Sequence, residues 1–477
     1  MKFCSADHAL CGISQGKEFM DKIKKVLNEE KIFSILKKNQ NPSKKKVAEI
    51  LKKSLNKKGL TLEEVGALVN VKDKKLLEEI FSTAGKIKKE IYGERLVLFA
   101  PLYISSFCVN DCEYCGFHAR NKMPRKKLKL SEIKKQVKIL EDMGHKRLLL
   151  EFGEHEKENP IDYVVEVIKT IYATKSKKGS IRRVNVNIAS TTVENYKKLK
   201  KAGIGTYQLF QETYHQETYK KMHKGPKADY ARQLFAHDKA FEAGIDDLGI
   251  GVLFGLFDWK FEVLALLSHA KYMDKKFGVG PHTISVPRFQ PADSVNFKPK
   301  HYVDENELLK IVAILRLAVP YTGMIISTRE RAEIREKAFI TGISQTSAAS
   351  RTAPGGYGKG HNLEQFHTAD HRSVSEFISA LLEKEMMPSF CTACYRIGRT
   401  GEKFMDLAKP GDIQNFCRPN AILTFKEYLL DYADKKQKVL GEKIIQKYLK
   451  LIPDQKIRKE TQKRLEKITK GKRDFYF

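Results

Sequence analysis

The stretch Cys108-Val109-Asn110-Asp111-Cys112-Glu113-Tyr114-Cys115 follows directly on an apolar run from Leu96 to Ile104. An apolar run of that length, rich in branched and aromatic side chains, reads as a buried strand. The loop after it carries three thiols in the spacing C-x3-C-x2-C. Three thiolates on one short loop can each bind one iron of a [4Fe–4S] cube, and the fourth iron is then left for an external ligand. A zinc loop remains the alternative for this spacing.

The chain has eight cysteines. Cys4 and Cys11 lie near the N-terminus and read as plain thiols. The other three form a second group, Cys391-x2-Cys394-x22-Cys417. Close cysteine spacing in a cytosolic chain points to metal binding rather than disulfides. Neither trio offers the four ligands that close a structural zinc site. A second [4Fe–4S] cluster with one free iron suits the tail trio, while a histidine such as His361 or His367 would complete a zinc site there.

Working outward, short apolar runs alternate with amphipathic helices. Strands are expected at 96–104, 147–152, 183–188, 206–210, 247–254, 283–286, 324–327 and 343–348, with helices such as 131–143, 192–202 and 261–275 between them. Eight strands in this alternation predict an α/β chain built on a parallel (β/α)8 TIM-type barrel. Residues 1–94 read as an N-terminal helical extension, 95–353 as the barrel, and 354–477 as a mostly helical C-terminal region, entered through a polar loop at 355–375.

The net charge is +30, from 88 basic and 58 acidic residues. The lysines are scattered through amphipathic segments, and no nucleic-acid-binding motif accompanies them, so the charge reads as a solvated surface. No apolar run reaches the length of a membrane span. Residues 1–16 lack a secretory pattern. The expectation is a cytoplasmic protein that engages neither nucleic acid nor membrane.

The expected strand ends carry polar side chains. Gly153 and Glu154 follow the second strand, Asn187 and Ser190 the third, and Gln211 and Glu212 the fourth. Arg288 follows the sixth, Ser327 and Arg329 the seventh, and Ser350 and Arg351 the eighth. A ring of buried polar groups is costly unless it binds something, and this one suits a small zwitterion.

The C-x3-C-x2-C loop at a strand end resembles the signature of the radical S-adenosylmethionine (SAM) superfamily. The resemblance implies that SAM chelates the open iron, and that one electron then cleaves it to a 5′-deoxyadenosyl radical. Tyr114 would stand beside that iron. Gly153-Glu154 would grip the SAM ammonium, although Phe152 departs from the family's Gly-Gly-Glu pattern. Asn187 and Ser190 are assigned to the same cofactor side.

The segments 183–196 and 203–215 look like the tyrosine-cleaving members of the superfamily. The segments 280–288 and 321–324, the tail cysteine pattern and the terminal residues 471–477 are similar to the HydG family of [FeFe]-hydrogenase maturases. That resemblance implies cleavage of the Cα–Cβ bond of L-tyrosine to p-cresol and dehydroglycine. The latter then yields CO and cyanide on an extra iron at the auxiliary cluster, held with free L-cysteine. The partners implied are reduced ferredoxin or flavodoxin as electron donor and the other hydrogenase maturases. Arg329 with Ser327 suits the tyrosine carboxylate, and Glu212 its amino group. By matching 266–270, the histidine on the extra iron is assigned to His269, with His282 second. The basic run 120–129 reads as a solvated loop or a contact for the electron donor. The rival readings are a thiazole-synthesis tyrosine lyase, a non-catalytic iron–sulfur scaffold and a nucleic-acid-modifying radical SAM enzyme.

Overall fold

The computed structural model describes residues 20–358 and 363–477. Cys4, Cys11 and His361 lie outside the described residues. Eight parallel strands close into a barrel in chain order: β1 (Arg95–Ser105), β2 (Arg147–Phe152), β3 (Arg183–Asn187), β4 (Tyr207–Gln208), β5 (Leu248–Gly251), β6 (Thr283–Ser285), β7 (Gly323–Ile326) and β8 (Gln345–Ser347), with β8 pairing back on β1. All eight expected strands are present, several of them shorter than their apolar runs.

A ninth strand, β9 (Met387–Ser389), escapes the sequence reading. It pairs in parallel with the start of β1, with Arg95 opposite Met387 and Val97 opposite Ser389. Its middle residue is Pro388, which an edge strand tolerates because the missing N–H faces no ladder partner. The C-terminal region is therefore joined to the barrel wall through β1.

Alternation along β1 sorts its side chains. Leu96, Leu98, Ala100, Leu102 and Ile104 are buried outward under the surrounding helices. Val97, Phe99, Pro101 and Tyr103 have the opposite parity and face the barrel interior. Inside, Phe99, Leu149 and Ile325 form a small apolar cluster of their own.

The N-terminal helices pack outside the barrel. The helix Lys74–Tyr92 buries Leu76, Ile80, Ala84, Ile87 and Ile91, the stripe that helical periodicity predicts, and lies along the helix Glu305–Ala318. The helix Leu62–Leu68 starts with a capping box formed by Thr61 and Glu64. Trp259 is core, and its ring nitrogen donates to Glu307 at 2.9 Å. Among the described residues, no helix is long and apolar enough to cross a membrane.

The loop after β8 is tied to the barrel by a buried ion pair. Arg335 bonds the Asp370 carboxylate, and both side chains are 1% exposed. Arg335 also donates to Thr346 Oγ1 on β8 at 2.8 Å. Asp370→Ala leaves the guanidinium buried without its partner, a loss of about 3–5 kcal/mol. Chemical denaturation of the two proteins should show that destabilisation; a change below about 1 kcal/mol contradicts this account of the loop.

Candidate functional site

The first cysteine loop is built onto the second strand end. A Cβ on Gly153 would lie 2.3 Å from the Phe107 carbonyl oxygen and 3.0 Å from Cys108 Cβ, so only glycine allows this approach. Asn159 Nδ2 donates to the carbonyls of Phe107 (3.2 Å) and Gly153 (2.7 Å). Arg125 donates to the carbonyls of Ser106, Phe117, His118 and Asn121, at 2.6–3.1 Å. The 120–129 run is thus not a free solvated loop. Arg125 is its internal tie, and Arg120 pairs with Asp111 and Glu113.

Cys108, Cys112 and Cys115 line one cavity with Tyr114, Gly153 and Glu154. Burial pushes the Cys112 thiol far up and the Cys115 thiol up to about 11, and the neighbouring thiols add to both shifts. Ionising these thiols side by side is costly without a cation among them. A polynuclear iron core, which takes thiolate ligands, fits this donor set. Tyr114 is fixed by a 2.8 Å hydrogen bond between its hydroxyl and His223 Nε2.

The cavity continues past Glu154. One carboxylate oxygen accepts from Asn110 at 2.6 Å, and the other from Arg232 at 2.6 Å. Arg232 also bonds the Ser190 carbonyl. Arg232 Nη1 and Ser190 Oγ are buried without partners among the described residues. Two orphaned donors beside a carboxylate fit a zwitterionic ligand such as the methionine end of SAM.

A second cavity lies over the barrel interior, lined by Ser327, Arg329, Ser350, Phe366 and Gln365 among others. Glu151, Asn187 and Glu212 line both cavities. The Arg329 guanidinium lies 3.2 Å above the Phe366 ring centroid. Burial lowers its pKa from the usual range. Glu212 sits at φ +67°, in the left-handed region, and is paired with Lys227 at 2.9 Å.

Gln211, Arg288 and Arg351 do not line this cavity. Arg288 is instead locked to Glu330 by a bidentate pair and to the Val303 carbonyl. The sequence reading missed Glu151, Lys227, Arg232, Gln365 and Phe366. Glu151 carried a signal, as a carboxylate inside the apolar run Leu148-Leu149-Leu150 at the inward parity of Arg147 and Leu149.

The tail trio lies at the opposite mouth. Cys391, Cys394 and Cys417 line a cavity with Tyr92, Arg95, Arg147, Gln345 and His282. Arg147 donates to the Cys391 carbonyl at 2.7 Å. Burial again pushes the Cys391 and Cys394 thiols up, and the charge of Cys417 adds to this. His282 opens onto this cavity, and Asp247 lies behind it with Oδ2 3.4 Å from Nδ1. A carboxylate behind a histidine is the usual support of a metal-ligating ring.

His269 is not at this site. It is buried in the helix Trp259–Phe277, where Nδ1 shares a 2.8 Å hydrogen bond with the Tyr214 hydroxyl and the ring faces His237. That helix covers the outside of the barrel, so its inner face meets the wall and not the mouth. The geometry does not support the assignment to His269; the second candidate, His282, stands just before β6 and lines the cavity of the tail trio. His367 bonds Asp293 at 2.7 Å beside the upper loop and does not reach the tail trio. Among the described residues no three histidine, cysteine or acidic side chains are grouped to hold a single metal ion. Each trio lines a cavity instead.

A closed parallel barrel with a C-x3-C-x2-C loop after its first strand is the architecture of the radical SAM superfamily. The sequence pattern of the Radical SAM superfamily matches residues 102–267, and that of the biotin and thiamin synthesis associated domain matches 285–387. The 2-iminoacetate synthase of Salmonella typhimurium is 32% identical over 346 residues, 72% of this chain and 90% of that protein. A crystal structure of HydG, a maturase of the [FeFe]-hydrogenase, is 55% identical at a TM-score of 0.92 and covers 95% of this chain and 100% of the other. HydG from Carboxydothermus hydrogenoformans is 41% identical at 0.82, over 94% and 99%. The chain belongs to the HydG family.

Gly153→Val drives a side chain into the backbone that carries Cys108. The expected outcome is loss of the cluster held by the first trio, with iron per reconstituted chain falling by about four atoms. Iron and sulfide analysis with EPR checks it; full iron content contradicts the cradle.

Proposed function

We propose that the protein is a radical SAM tyrosine lyase. It cleaves L-tyrosine to p-cresol and dehydroglycine in the upper cavity, and the second fragment yields CO and cyanide at the lower site for assembly of the [FeFe]-hydrogenase H-cluster. The observation that carries this reading is the pair of cysteine trios at opposite mouths of one barrel, with their cavities end to end. Val97 and Phe99, Arg147 and Leu149, Gly323 and Ile325, and Gln345 and Ser347 are successive inward residues; the first of each pair lines the lower cavity and the second the upper. In this reading the functional units are the helical extension 1–94, the barrel 95–353 and the region 354–477.

Cys108, Cys112 and Cys115 would hold one [4Fe–4S] cluster, and Cys391, Cys394 and Cys417 a second with an extra iron bound by His282 and free L-cysteine; together these supply one-electron cleavage of SAM above and a metal site for the fragment below. Glu154, held in place by the Asn110 amide, receives the SAM ammonium. Arg232 and Ser190 donate to its carboxylate, and Tyr114 and Asn187 close the wall beside it. Arg329 and Ser327 take the tyrosine carboxylate, with Phe366 fixing the guanidinium plane. Glu212, anchored by Lys227, turns the substrate's amino end toward the cofactor. Enclosure by Gln365 and Phe366 keeps water from a reactive radical. The donor of electrons is a reduced ferredoxin or flavodoxin, which a chain of +30 charge attracts if acidic. The products pass to the other hydrogenase maturases.

Anaerobic reconstitution with SAM, tyrosine and reductant should give p-cresol, CO and cyanide. The triple variant Cys391→Ser, Cys394→Ser, Cys417→Ser should keep p-cresol and lose CO and cyanide. p-Cresol with glyoxylate alone from the unaltered protein selects the thiazole-type lyase. No tyrosine turnover with intact clusters selects the scaffold.

His282→Ala should lose the extra iron while both cubes remain, read by Mössbauer spectroscopy. His269→Ala should retain it, and the reverse result restores the helix histidine as ligand.

A further inference from the structure

We propose that Glu151 is the base that takes a proton from the α-ammonium group of the substrate amino acid before hydrogen-atom abstraction. The proposal rests on the tyrosine-cleaving reading and assigns a step within it.

Only two carboxylates, Glu151 and Glu212, line both upper cavities, the one beside the cysteine loop and the one containing Arg329. They stand in different surroundings. Glu212 is paired with Lys227 at 2.9 Å. Burial works against the lysine's charge, but Glu212 and nearby groups hold it protonated above its ordinary range. Glu212 is thereby held in an ion pair and turned to its own partner. Glu151 makes no ion pair among the described residues.

The groups facing Glu151 come from every neighbouring strand end. They are Tyr103 on β1, Asn187 on β3, Glu212 after β4 and Arg329 after β7. Its carboxylate is enclosed by protein yet open to the cavity. Burial raises its pKa to about 8; Arg329 and the Asn187 hydrogen bond oppose the shift, and the charge of Glu212 adds to it.

The chemistry requires such a group. Removing a hydrogen atom from an ammonium leaves a radical cation, whereas removing it from a neutral amine leaves a neutral aminyl radical. At neutral pH the substrate arrives mostly as the ammonium. Carrying a carboxylate and an ammonium together out of water costs both their hydration, so enclosure favours the neutral pair. The proton moves from the substrate nitrogen to Glu151 Oε. One N–H bond breaks, one O–H bond forms, the two charges cancel and no electron is transferred. A base whose pKa is raised toward that of the ammonium does this best. Two carboxylates in unlike surroundings, one ion-paired with Lys227 and one without an ion pair among the described residues, suit two roles.

The test uses the reconstituted holoenzyme with tyrosine, SAM and reductant. Glu151→Gln should lower p-cresol formation by about 100-fold or more. In the unaltered enzyme the p-cresol rate should rise with pH and level off near the pKa of about 8. In Glu151→Gln it should keep climbing at higher pH with the free-amine fraction of tyrosine, a rescue that a structural defect would not show. Glu212→Gln should show no such rescue. Full activity of Glu151→Gln, or alkaline rescue of Glu212→Gln in its place, overturns the proposal. Absence of p-cresol from the unaltered holoenzyme overturns the underlying reading instead.

Discussion

The pairing of β1 with three other strands is the constraint on which both sites depend. Its lower residues meet β9, its middle residues meet β8, and its upper residues meet β2. The strand's upper end runs into the loop of Cys108, Cys112 and Cys115. Its lower end holds β9, which leads directly into Cys391 and Cys394. Eleven residues of one strand, at roughly 3.3 Å each, therefore fix the separation of the two trios. Neither can move along the barrel without shearing the ladder that closes it. A shorter β1 would close the barrel but remove the ladder that sets the tail trio in register with it.

The two mouths differ in electrostatics because they differ in how charge is compensated. At the upper mouth nearly every charge has a partner, as in Glu154 with Arg232, Glu212 with Lys227 and Arg288 with Glu330. Such pairs hold geometry at small net charge. The lower mouth carries surplus cations. Arg147 and Arg183 flank the Tyr395 ring at 5.2 and 4.3 Å, and the Nε atoms of Arg95, Arg147 and Arg183 are buried without partners among the described residues. Burying guanidinium groups without an anionic partner is costly. Three thiolates at the same place make up part of that cost.

Much of this was legible in the sequence, and the failures have identifiable causes. The strands were readable because a barrel strand buried on both faces is a continuous apolar run, as in Leu148-Leu149-Leu150. The cysteine trios were readable because their spacing is local. β9 was not, because three residues including Pro388 carry no periodic signal and gain strand geometry only by pairing with β1. The choice between His269 and His282 failed for a related reason. Only the position of each element relative to the barrel mouth separates a wall histidine from one that lines the cavity of the tail trio. Arg125 was read as solvated because a basic run looks alike whether its side chains face water or backbone carbonyls.

Between the two cavities lies one layer of barrel side chains, and its composition bears on what can cross it. One side is the apolar cluster Phe99, Leu149 and Ile325. The other is polar, with Gln208 Nε2 donating to Thr283 Oγ1 at 3.3 Å and Asn185 Oδ1 accepting from the Thr206 amide at 3.0 Å. Gly249 stands between Gln208 and Thr283, where any Cβ would lie 2.6 Å from each. A larger residue there would push these side chains apart and disrupt the polar side. On this side Gln208, Thr283 and Asn185 place hydrogen-bonding groups between the two cavities. An aromatic product meets a layer already filled on its apolar side. The barrel interior between the two sites is thus apolar on one side and hydrogen-bonding on the other.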